Sequence, residues 1–256
     1  MPARTRLDQL IVARGLVASR SQAQALLLAG RVRVGEGPGA RRDRKPGDLV
    51  AGDTPVELDQ RPPFVSRGGE KLAGALDELG VDPRGRACLD VGASTGGFTD
   101  CLLQRGARHV YALDVGRAQL AEALRADPRV TSMERTHARR LDPGDPEAIR
   151  LPEPVSLAVA DVSFISLTRL LPGMAAQVEP GGELVVLVKP QFESRPGDVP
   201  KGVVRDAAVR AAAVERVATA ARQAGLDVGA QAVSALPGPA GNIEIFLHLR
   251  RPPVGA

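Results

Sequence analysis

The sequence predicts an α/β protein in which a mostly parallel sheet carries helices on both faces, preceded by a small α+β unit. From residue 65 onward, short apolar segments typical of strands alternate with helical segments, which is the pattern of βαβ units. Residues 6–58 instead show two helical segments followed by short strands. The change of pattern predicts two domains.

Composition and length are those of a globular protein. The 256 residues are 43% hydrophobic and 25% charged. No run of about 18 apolar residues is present, and no apolar stretch follows residues 1–7, so we expect neither a membrane span nor a secretory leader. Cys88 and Cys101 each lie in an apolar segment. We therefore expect both to be core residues of a reduced, cytoplasmic protein.

The excess of positive charge lies in the N-terminal quarter of the chain. Residues 1–61 contain eleven Lys and Arg against seven Asp and Glu, whereas the remaining residues contain twenty-three of each. A basic surface on a small unit is typical of proteins that bind a phosphate backbone. An ordinary solvated surface in an arginine-rich protein is the alternative that charge alone leaves open.

Local signals divide this N-terminal segment into elements. A helix beginning at Leu7 should end at Gly15, and Ser19 should cap a second helix with Gln22 as its reciprocal partner. Gly30 should end that second helix. Short strands are then expected at residues 32–34 and within 50–58. The alternative to an RNA-binding function for this unit is a charged helical brace between domains.

Two prolines mark the boundary between the predicted domains. The segment Arg61-Pro62-Pro63-Phe64 disfavours helix and favours a stiff extended path, so we expect domains at residues 1–60 and 65–252. The last two strands should form an antiparallel hairpin. The expected strands of the second domain are 88–91, 109–114, 129–133, 155–161, 183–189, 227–234 and 243–249, and its clearest helices are 98–104 and 206–224.

A glycine-rich loop follows the first strand of the second domain and opens a helix. Such a loop lets a ligand approach the backbone closely at a helix N-terminus. The G-x-G-x-x-G dinucleotide fingerprint fails at Ser94, whereas an acid two residues before the first glycine is typical of S-adenosylmethionine loops. A glycine turn without a ligand is the remaining alternative. The candidate cofactor residues are Asp90, Gly92, Ala93, Ser94, Thr95, Gly96, Gly97 and Phe98, with Asp114 and Asp161 at later strand ends.

Four ionisable residues are candidates for catalysis. Asp161 and Lys189 end neighbouring strands, where ligands bind in open α/β sheets. Lys71 precedes the first strand of the sheet, and Glu244 opens the last one. Lysine is rare in this chain, where only four of the 34 cations are not arginine. Each residue taken alone could equally form a structural ion pair.

These motifs resemble those of the TlyA family, which belongs to the FtsJ class of ribose 2′-O-methyltransferases. The resemblance spans nearly the whole chain and rests on the segments SRGGEKL, LDVGASTGGFTDCLL, DVSFISL, KPQFE, KGVVRD and GNIE. The N-terminal segment RLDQLIVARGLVASRSQAQALLLAGRVRV resembles an S-four-type RNA-binding domain. The resemblance implies a Rossmann-like, S-adenosylmethionine-dependent methyltransferase sheet behind a small α+β RNA-binding domain.

The resemblance also implies an activity and roles for these residues. Members of the family methylate cytidine 2′-hydroxyls in 16S and 23S ribosomal RNA within ribosomal subunits. Lys189 would accept the hydroxyl proton or orient the oxygen, Lys71 and Glu244 would hold the hydroxyl, and Asp161 would pair with Lys189. Phe164 and Phe192 could stack on a base or belong to the core. The candidate RNA-binding residues are Arg4, Arg6, Arg14, Arg20, Arg31, Arg33 and Arg67.

Two other functions stay open at this stage. Some family members carry a hemolysin name, so a membrane-active hemolysin is one alternative, although no strongly amphipathic cationic helix supports it. A ribosome-binding protein without catalytic activity is the other, and the complete set of four ionisable residues argues against it. We expect a cytoplasmic enzyme, a monomer or weak dimer, that uses no metal ion and binds no membrane.

Overall fold

The computed structural model describes residues 4–28, 30–58 and 62–255, and the chain divides into two units between residues 61 and 62. Arg61, the first residue of the expected stiff boundary, lies outside the described residues, as do residues 59 and 60 at the expected end of the first domain. Each unit has its own buried apolar cluster. None of the described helices combines the length and the hydropathy needed to cross a membrane.

The N-terminal unit packs two helices against short antiparallel strand pairs. Strand β1 pairs with β3, and β2 pairs with β4. Leu7 and Ile11 of the first helix and Ala23 and Leu27 of the second are buried in one apolar cluster. The elements are β1 (Arg4–Arg6), α1 (Leu7–Ala13), α2 (Arg20–Leu28), β2 (Val32–Val34), β3 (Leu49–Ala51) and β4 (Val56–Leu58).

The expected cap of helix α2 is present with one difference. Ser19 Oγ accepts a hydrogen bond from the backbone N–H of Gln22 at 3.2 Å. The Gln22 side chain returns to the backbone N–H of Ala18 at 3.2 Å, not to that of Ser19. The reciprocal contact therefore reaches one residue further back than in a regular capping box.

The second unit is a sheet with helices packed on both faces. Its helices are α3 (Arg67–Leu79), α4 (Gly97–Gln104), α5 (Glu122–Arg125), α6 (Leu171–Gln177), α7 (Pro190–Glu193) and α8 (Ala207–Gln223). Its strands are β5 (Ala87–Val91), β6 (His109–Leu113), β7 (Val130–Met133), β8 (Val155–Ala160), β9 (Val178–Val188), β10 (Asp227–Val233) and β11 (Ile245–Arg250).

Within residues 62–255 the seven strands lie in the order β10-β11-β9-β8-β5-β6-β7. Strands β5 to β9 pair in parallel, and β11 is antiparallel to both of its neighbours. The predicted α/β class and the predicted antiparallel final pair are confirmed. From β5 the chain adds β6 and β7 on one side of that strand, and it then adds β8 and β9 on the other side. The direction of strand addition therefore changes between β5 and β8, and ligands bind at such switch points in α/β sheets.

Strand β9 begins five residues earlier than expected. Val178 pairs with Val155, but the register then shifts, and pairing resumes with Glu183 opposite Leu157. Gly181, with φ of +82°, lies in the irregular stretch between these pairs. The residues Pro180-Gly181-Gly182 are typical of a turn. In the structure they form an irregular stretch within β9, whereas we expected the strand to begin after them.

Side chains alternate between the two buried faces of the sheet. Leu89 and Val91 of β5 pack into one apolar cluster, whereas Cys88 packs into the other together with Cys101 of α4. Both cysteines are free and buried. This packing fixes the carboxyl end of β5 between two cores, and the glycine-rich loop starts from that end.

Candidate active site

A cleft of about 390 Å³ opens at the carboxyl ends of β5 and β8. The backbone N–H of Asp161 donates to the carbonyl of Val91 at 3.0 Å, which holds the two strand ends together. A volume of this size suits a small-molecule ligand. The lining residues are Ser66, Arg67, Gly68, Lys71, Gly92, Ala93, Ser94, Thr95, Gly97, Phe98, Asp161, Ser163, Lys189, Pro237 and Pro239.

The glycine loop is shaped by close backbone contacts. Gly92 has φ of +84°, and a Cβ there would lie 2.6 Å from the carbonyl oxygen of Asp161. A Cβ on Gly97 would lie 2.2 Å from Ser66 Oγ. These positions need glycine because any side chain would push the loop away from β8 and from the start of α3.

Lys71 and Glu244 form a buried ion pair at one side of the cleft. Lys71 Nζ is 2.6 Å from Glu244 Oε2, and the two residues are 7% and 1% exposed. Glu244 Oε1 has no hydrogen-bond partner within the described part of the chain. A Cβ on Gly238 would lie 2.5 Å from this oxygen, so the loop before β11 closes over the carboxylate. Lys71 reaches the cleft, and Glu244 lies behind it.

Lys189 and Asp161 form a second ion pair, at the ends of β9 and β8. Lys189 Nζ is 2.6 Å from Asp161 Oδ1 and donates to Ser163 Oγ at 2.9 Å. The same ammonium lies 5.9 Å from the centroid of the Phe192 ring. The contact with Asp161 Oδ1 is an ion pair without hydrogen-bond geometry, because this oxygen has no hydrogen-bond partner among the described residues. An ammonium has three N–H groups, so Lys189 can donate to Ser163 and still donate to a ligand in the cleft.

Lys71, Asp161 and Lys189 are thus brought to one cleft, together with six of the eight candidate residues at positions 90–98. Asp90 and Gly96 from that loop, Asp114, and Glu244 are not among its lining residues. Ser163, Ser66 and the two prolines of the loop before β11 are not predicted by the sequence motifs. The sequence could have indicated Ser163 as a site residue, because it lies two residues after Asp161 in the segment DVSFISL.

Asp90 supports the loop from below the cleft. Its carboxyl is fully buried, Thr99 Oγ1 donates to Oδ2 at 2.7 Å, and Oδ1 has no hydrogen-bond partner among the described residues. Burial raises the pKa of Asp90 to about 7, and the hydrogen bond from Thr99 opposes this rise. Asp90 therefore joins α4 to β5 and leaves one acceptor unused.

Asp114 also contacts the backbone of the loop. Its carboxylate accepts hydrogen bonds from the N–H of Ser94 at 2.8 Å and from the N–H of Gly116 at 2.7 Å. Each carboxylate oxygen has a second lone pair, so the residue can still accept from a ligand hydroxyl. The structure thus places Asp114 as a support of the loop, at a strand end where we expected a cofactor contact.

These features fit the expected cofactor. Gly92 lets the loop lie close against the end of β8, and the unused Asp90 acceptor is on the strand from which the loop starts. Asp161, at the end of β8, is the acidic residue among those that line the cleft, and its carboxylate could face a cationic group of a ligand. The residues that would hold S-adenosylmethionine are Gly92–Thr95, with Asp114 and Asp161 at the strand ends on either side.

In the N-terminal unit, two of the candidate RNA-binding arginines hold a buried carboxylate. Arg6 Nη2 and Arg20 Nε lie 3.1 and 2.9 Å from Asp8 Oδ2, and the side chain of Gln24 donates to the same oxygen at 2.8 Å. Asp8 is 0% exposed, and its hydrogen bond from Arg6 holds the pKa of the carboxyl well below its usual range. About half of the Arg20 side chain remains exposed, so it can contact Asp8 and a phosphate together.

The other candidate arginines differ in how firmly they are held. Arg14 donates to the carbonyls of Gly52 and Thr54, and Arg33 pairs with the exposed Glu57 at 3.2 Å. Arg4 is exposed on β1, and Arg31 is half-buried just before β2. In the second unit, Arg67 lines the cleft and donates to the carbonyl of Pro237 at 3.2 Å.

Comparison with known families gives two matches. Residues 64–251 match the model of the FtsJ-like methyltransferases, and residues 5–38 match that of the S4 domain. The first match covers the whole described sheet and the cleft, and the second covers both helices of the N-terminal unit.

Three similar proteins cover nearly the whole chain. The 16S/23S rRNA (cytidine-2′-O)-methyltransferase TlyA of Mycobacterium tuberculosis is 49% identical over 98% of this chain and 91% of its own length. Hemolysin A of Brachyspira hyodysenteriae is 40% identical over 95% of this chain and 98% of its own. A solved structure from Streptococcus thermophilus that carries a hemolysin name covers 98% of this chain and 90% of its own, with 40% identity and a TM-score of 0.72. The chain therefore belongs to the TlyA family of FtsJ-like methyltransferases with an N-terminal S4 domain.

Proposed function

We propose that this protein transfers a methyl group from S-adenosylmethionine to the 2′-hydroxyl of cytidine in 16S or 23S ribosomal RNA. The observation that carries the proposal is the meeting of Lys71, Asp161 and Lys189 in one cleft, with Glu244 paired behind Lys71. The name of the M. tuberculosis relative supports the same reaction and substrate. Because the substrate is ribosomal, we place the activity in the cytoplasm.

The loop Gly92–Thr95 would hold the cofactor, with Asp114 and Asp161 at the neighbouring strand ends. When bound, S-adenosylmethionine supplies an electrophilic methyl group beside a sulfonium cation. Asp161 lies at the carboxyl end of β8 and contributes negative charge there. That charge would favour a cationic ligand and would also fix the Lys189 ammonium.

Lys189 would contact the target hydroxyl directly. With one N–H donated to Ser163 and the charge paired with Asp161, a remaining N–H would donate to the 2′-oxygen and aim a lone pair at the methyl group. A lysine that has given up this proton could instead accept the hydroxyl proton as the new bond forms. In both roles the fixed position of Nζ beside Asp161 determines which oxygen reacts.

Lys71 would bind the ribose from the opposite side. Its ammonium donates to Glu244, and because Lys71 also lines the cleft, its remaining N–H groups would be available to a ligand there. Glu244 would act through Lys71, because its carboxylate is 1% exposed and closed off by Gly238. The pair would hold the hydroxyl, and its tight packing would keep water out.

The N-terminal S4 domain would supply affinity for ribosomal RNA. Arg4, Arg14, Arg20 and Arg33 would contact phosphates there, and Arg67 would contact the RNA at the edge of the cleft. Phe164, which is 92% exposed, would stack on the target base. Its ring centroid lies 5.3 Å from that of Phe192, so the two rings form an aromatic surface beside Lys189.

Methyl transfer to purified ribosomal subunits tests the proposal. Tritiated S-adenosylmethionine is incubated with unmodified small and large subunits, and the labelled nucleoside is then identified. We expect label in cytidine, at a linkage that resists alkaline hydrolysis because its 2′-oxygen is methylated. Lys189→Ala should abolish labelling, whereas Lys201→Ala, which removes an exposed lysine outside the cleft, should not.

Three outcomes would contradict the proposal. Label on a base would exclude ribose chemistry, and tight binding to subunits without transfer by the wild-type protein would favour a ribosome-binding protein without activity. Leakage of vesicles that is unchanged in Lys189→Ala would favour the hemolysin alternative.

A further inference from the structure

Glu193 is a buried carboxylate outside the set of residues to which we have given a role. It ends α7, four positions after Lys189, and is 3% exposed. A buried carboxylate is costly unless hydrogen bonds compensate it. Ser166 Oγ donates to Glu193 Oε2 at 2.5 Å, and the N–H of Leu167 donates to Oε1 at 2.7 Å. Both donors belong to the segment that follows Asp161.

A short hydrogen-bond chain fixes the direction of these contacts. Ser166 Oγ accepts from the N–H of Thr168 and lies 2.7 Å from Thr168 Oγ1. If Ser166 gives its proton to Glu193, Thr168 must give its own to Ser166. Burial raises the pKa of Glu193, whereas the bonds from Ser166 and Leu167 lower it. The carboxylate is therefore held by donors that come from a single loop.

The loop 161–166 is held to the segment 189–193 at three places. Lys189 contacts Asp161 and Ser163 at its start, and the ring of Phe192 contacts that of Phe164 in its middle. Glu193 holds its end. Val162 and Ile165 also pack into the apolar core. Without the Glu193 contact, however, the polar contacts of the loop with the segment 189–193 would come only from Lys189, a group that takes part in the reaction.

Phe164 shows why the loop needs this support. It has φ of +64°, a left-handed conformation that is unfavourable for a non-glycine residue, and its side chain is 92% exposed. Burial of the Phe164 ring cannot offset this cost, so contacts on either side must maintain the conformation. Glu193 provides the contact on the carboxyl side.

We propose that Glu193 is a positioning residue for methyl transfer, which fixes Ser163 against Lys189 and Phe164 beside the cleft through its bonds to Ser166 and Leu167. The expected effect on kcat rests on the proposed function, whereas the expected effect on the loop structure does not. Without the carboxylate, Phe164 would relax from its left-handed conformation and Ser163 Oγ would move away from Lys189 Nζ. The Lys189–Asp161 pair and the cofactor loop would remain.

The test compares Glu193→Ala, Glu193→Gln and Ser166→Ala with the wild-type chain and with Glu179→Ala, an exposed glutamate on β9. Three quantities are measured for each: cofactor affinity by calorimetry, kcat and KM on ribosomal subunits, and hydrogen exchange of the backbone amides at 163–168. Ser166→Ala removes one of the two bonds only, so it remains informative if Glu193→Ala folds poorly.

We expect Glu193→Ala to lower kcat roughly 10- to 100-fold, with little change in KM or cofactor affinity. The Leu167 amide should exchange faster, because it loses its acceptor. Glu193→Gln should retain most of the wild-type kcat and most of the wild-type protection of the Leu167 amide, since a glutamine amide can accept from Leu167 and donate to Ser166. The double variant Ser163→Ala/Glu193→Ala should be little slower than Glu193→Ala alone, because both changes affect the same contact.

Unchanged exchange at 163–168 in Glu193→Ala would overturn the inference whatever the activity. Normal kcat in that variant, or effects that simply add in the double variant, would also overturn it. A wild-type chain that transfers no methyl group would contradict the proposed function, and the exchange measurement would still decide whether Glu193 holds the loop.

Discussion

Lys71 and Glu244 are separated by 173 positions in the chain, yet their charged groups lie 2.6 Å apart in a buried pair. Lys71 belongs to the helix before the first strand of the sheet, and Glu244 lies just before the last strand. The pair therefore joins the two ends of the catalytic unit at the cleft. A buried ion pair is strongly disrupted by removal of one partner, because the other charge is left uncompensated.

This geometry predicts that Lys71→Ala and Glu244→Ala each lower the free energy of unfolding by about 3–5 kcal/mol. Lys71→Met/Glu244→Leu should be much closer to wild type in stability, because no charge is then left buried. Urea unfolding followed by circular dichroism measures both effects. The double variant should still be impaired in methyl transfer, because it lacks the Lys71 ammonium. Single variants as stable as the wild-type protein would show that water reaches the pair.

Lys189→Arg is expected to lose methyl transfer almost as completely as Lys189→Ala. A guanidinium keeps the positive charge but cannot release a proton, and its planar fork would place its N–H groups differently from those of the ammonium. Loss of a positioned acid or base costs roughly 100- to 10,000-fold in rate. Single-turnover assays on ribosomal subunits measure this loss, with cofactor affinity as the control for folding. An arginine variant with a rate near that of the wild type would exclude a specific role for the ammonium.

Gly92→Ala should weaken cofactor binding at least about tenfold, since Gly92 has a positive φ and its new Cβ would lie 2.6 Å from the Asp161 carbonyl. Gly80→Ala is the matched control. Gly80 also has a positive φ, of +67°, but a Cβ added there would meet no atom within 4 Å, and the residue is outside the cleft. Calorimetric titration with S-adenosylmethionine distinguishes the two variants. Equal affinities would mean that the loop can move away from β8 at no cost.

Asp90→Asn should be more stable than the wild-type protein at pH 8 and of similar stability near pH 4. Burial raises the pKa of Asp90 to about 7 in the folded chain, above the value of about 3.9 in an unfolded one. Between these values the unfolded chain binds fewer protons, so the wild-type protein loses stability as pH rises. Denaturant unfolding without cofactor, repeated from pH 4 to pH 8, measures the difference. A difference that does not vary with pH would contradict the prediction.

Arg33→Ala and Arg20→Ala should differ although both remove a candidate phosphate contact. Each should reduce the slope of the RNA affinity against salt concentration by about one unit. Arg20→Ala should also destabilise the N-terminal unit, because it removes a partner of the buried Asp8. Among the described residues, the carboxylate that pairs with Arg33 is that of the exposed Glu57. Loss of Arg33 should therefore leave the stability of the N-terminal unit unchanged. Filter binding at several salt concentrations and hydrogen exchange in α1 and α2 separate these effects.

The sequence was sufficient to predict the sheet, the glycine loop and the cleft residues at strand ends, because these follow from local pattern. Alternation of strands and helices indicated parallel pairing, and strand ends such as Asp161 and Lys189 must meet at one edge of a parallel sheet. The partners of these residues were harder to predict. Nothing local in the sequence indicates that Lys71 contacts Glu244 rather than Asp161.

The burial of individual polar side chains was the other feature that the sequence did not predict. Asp8 looks like an ordinary first-turn acid of a surface helix, but it is buried and takes up two of the arginines assigned to RNA. Glu193 likewise looks like the exposed end of a short helix. Such positions depend on which loops fold back onto them, and spacing along the chain does not reveal that.

The place of β11 in the sheet has a consequence for how the protein is made. This strand is the last in chain order, but it lies between β9 and β10 and pairs with both. During synthesis, β10 can join the sheet only after β11 has emerged, and β9 presents an unpaired edge until then. Glu244, just before β11, arrives equally late, so the nascent catalytic unit holds Lys71 without its counter-charge. Chains that terminate between residues 234 and 245 should therefore aggregate or be degraded, not accumulate as partly active enzyme.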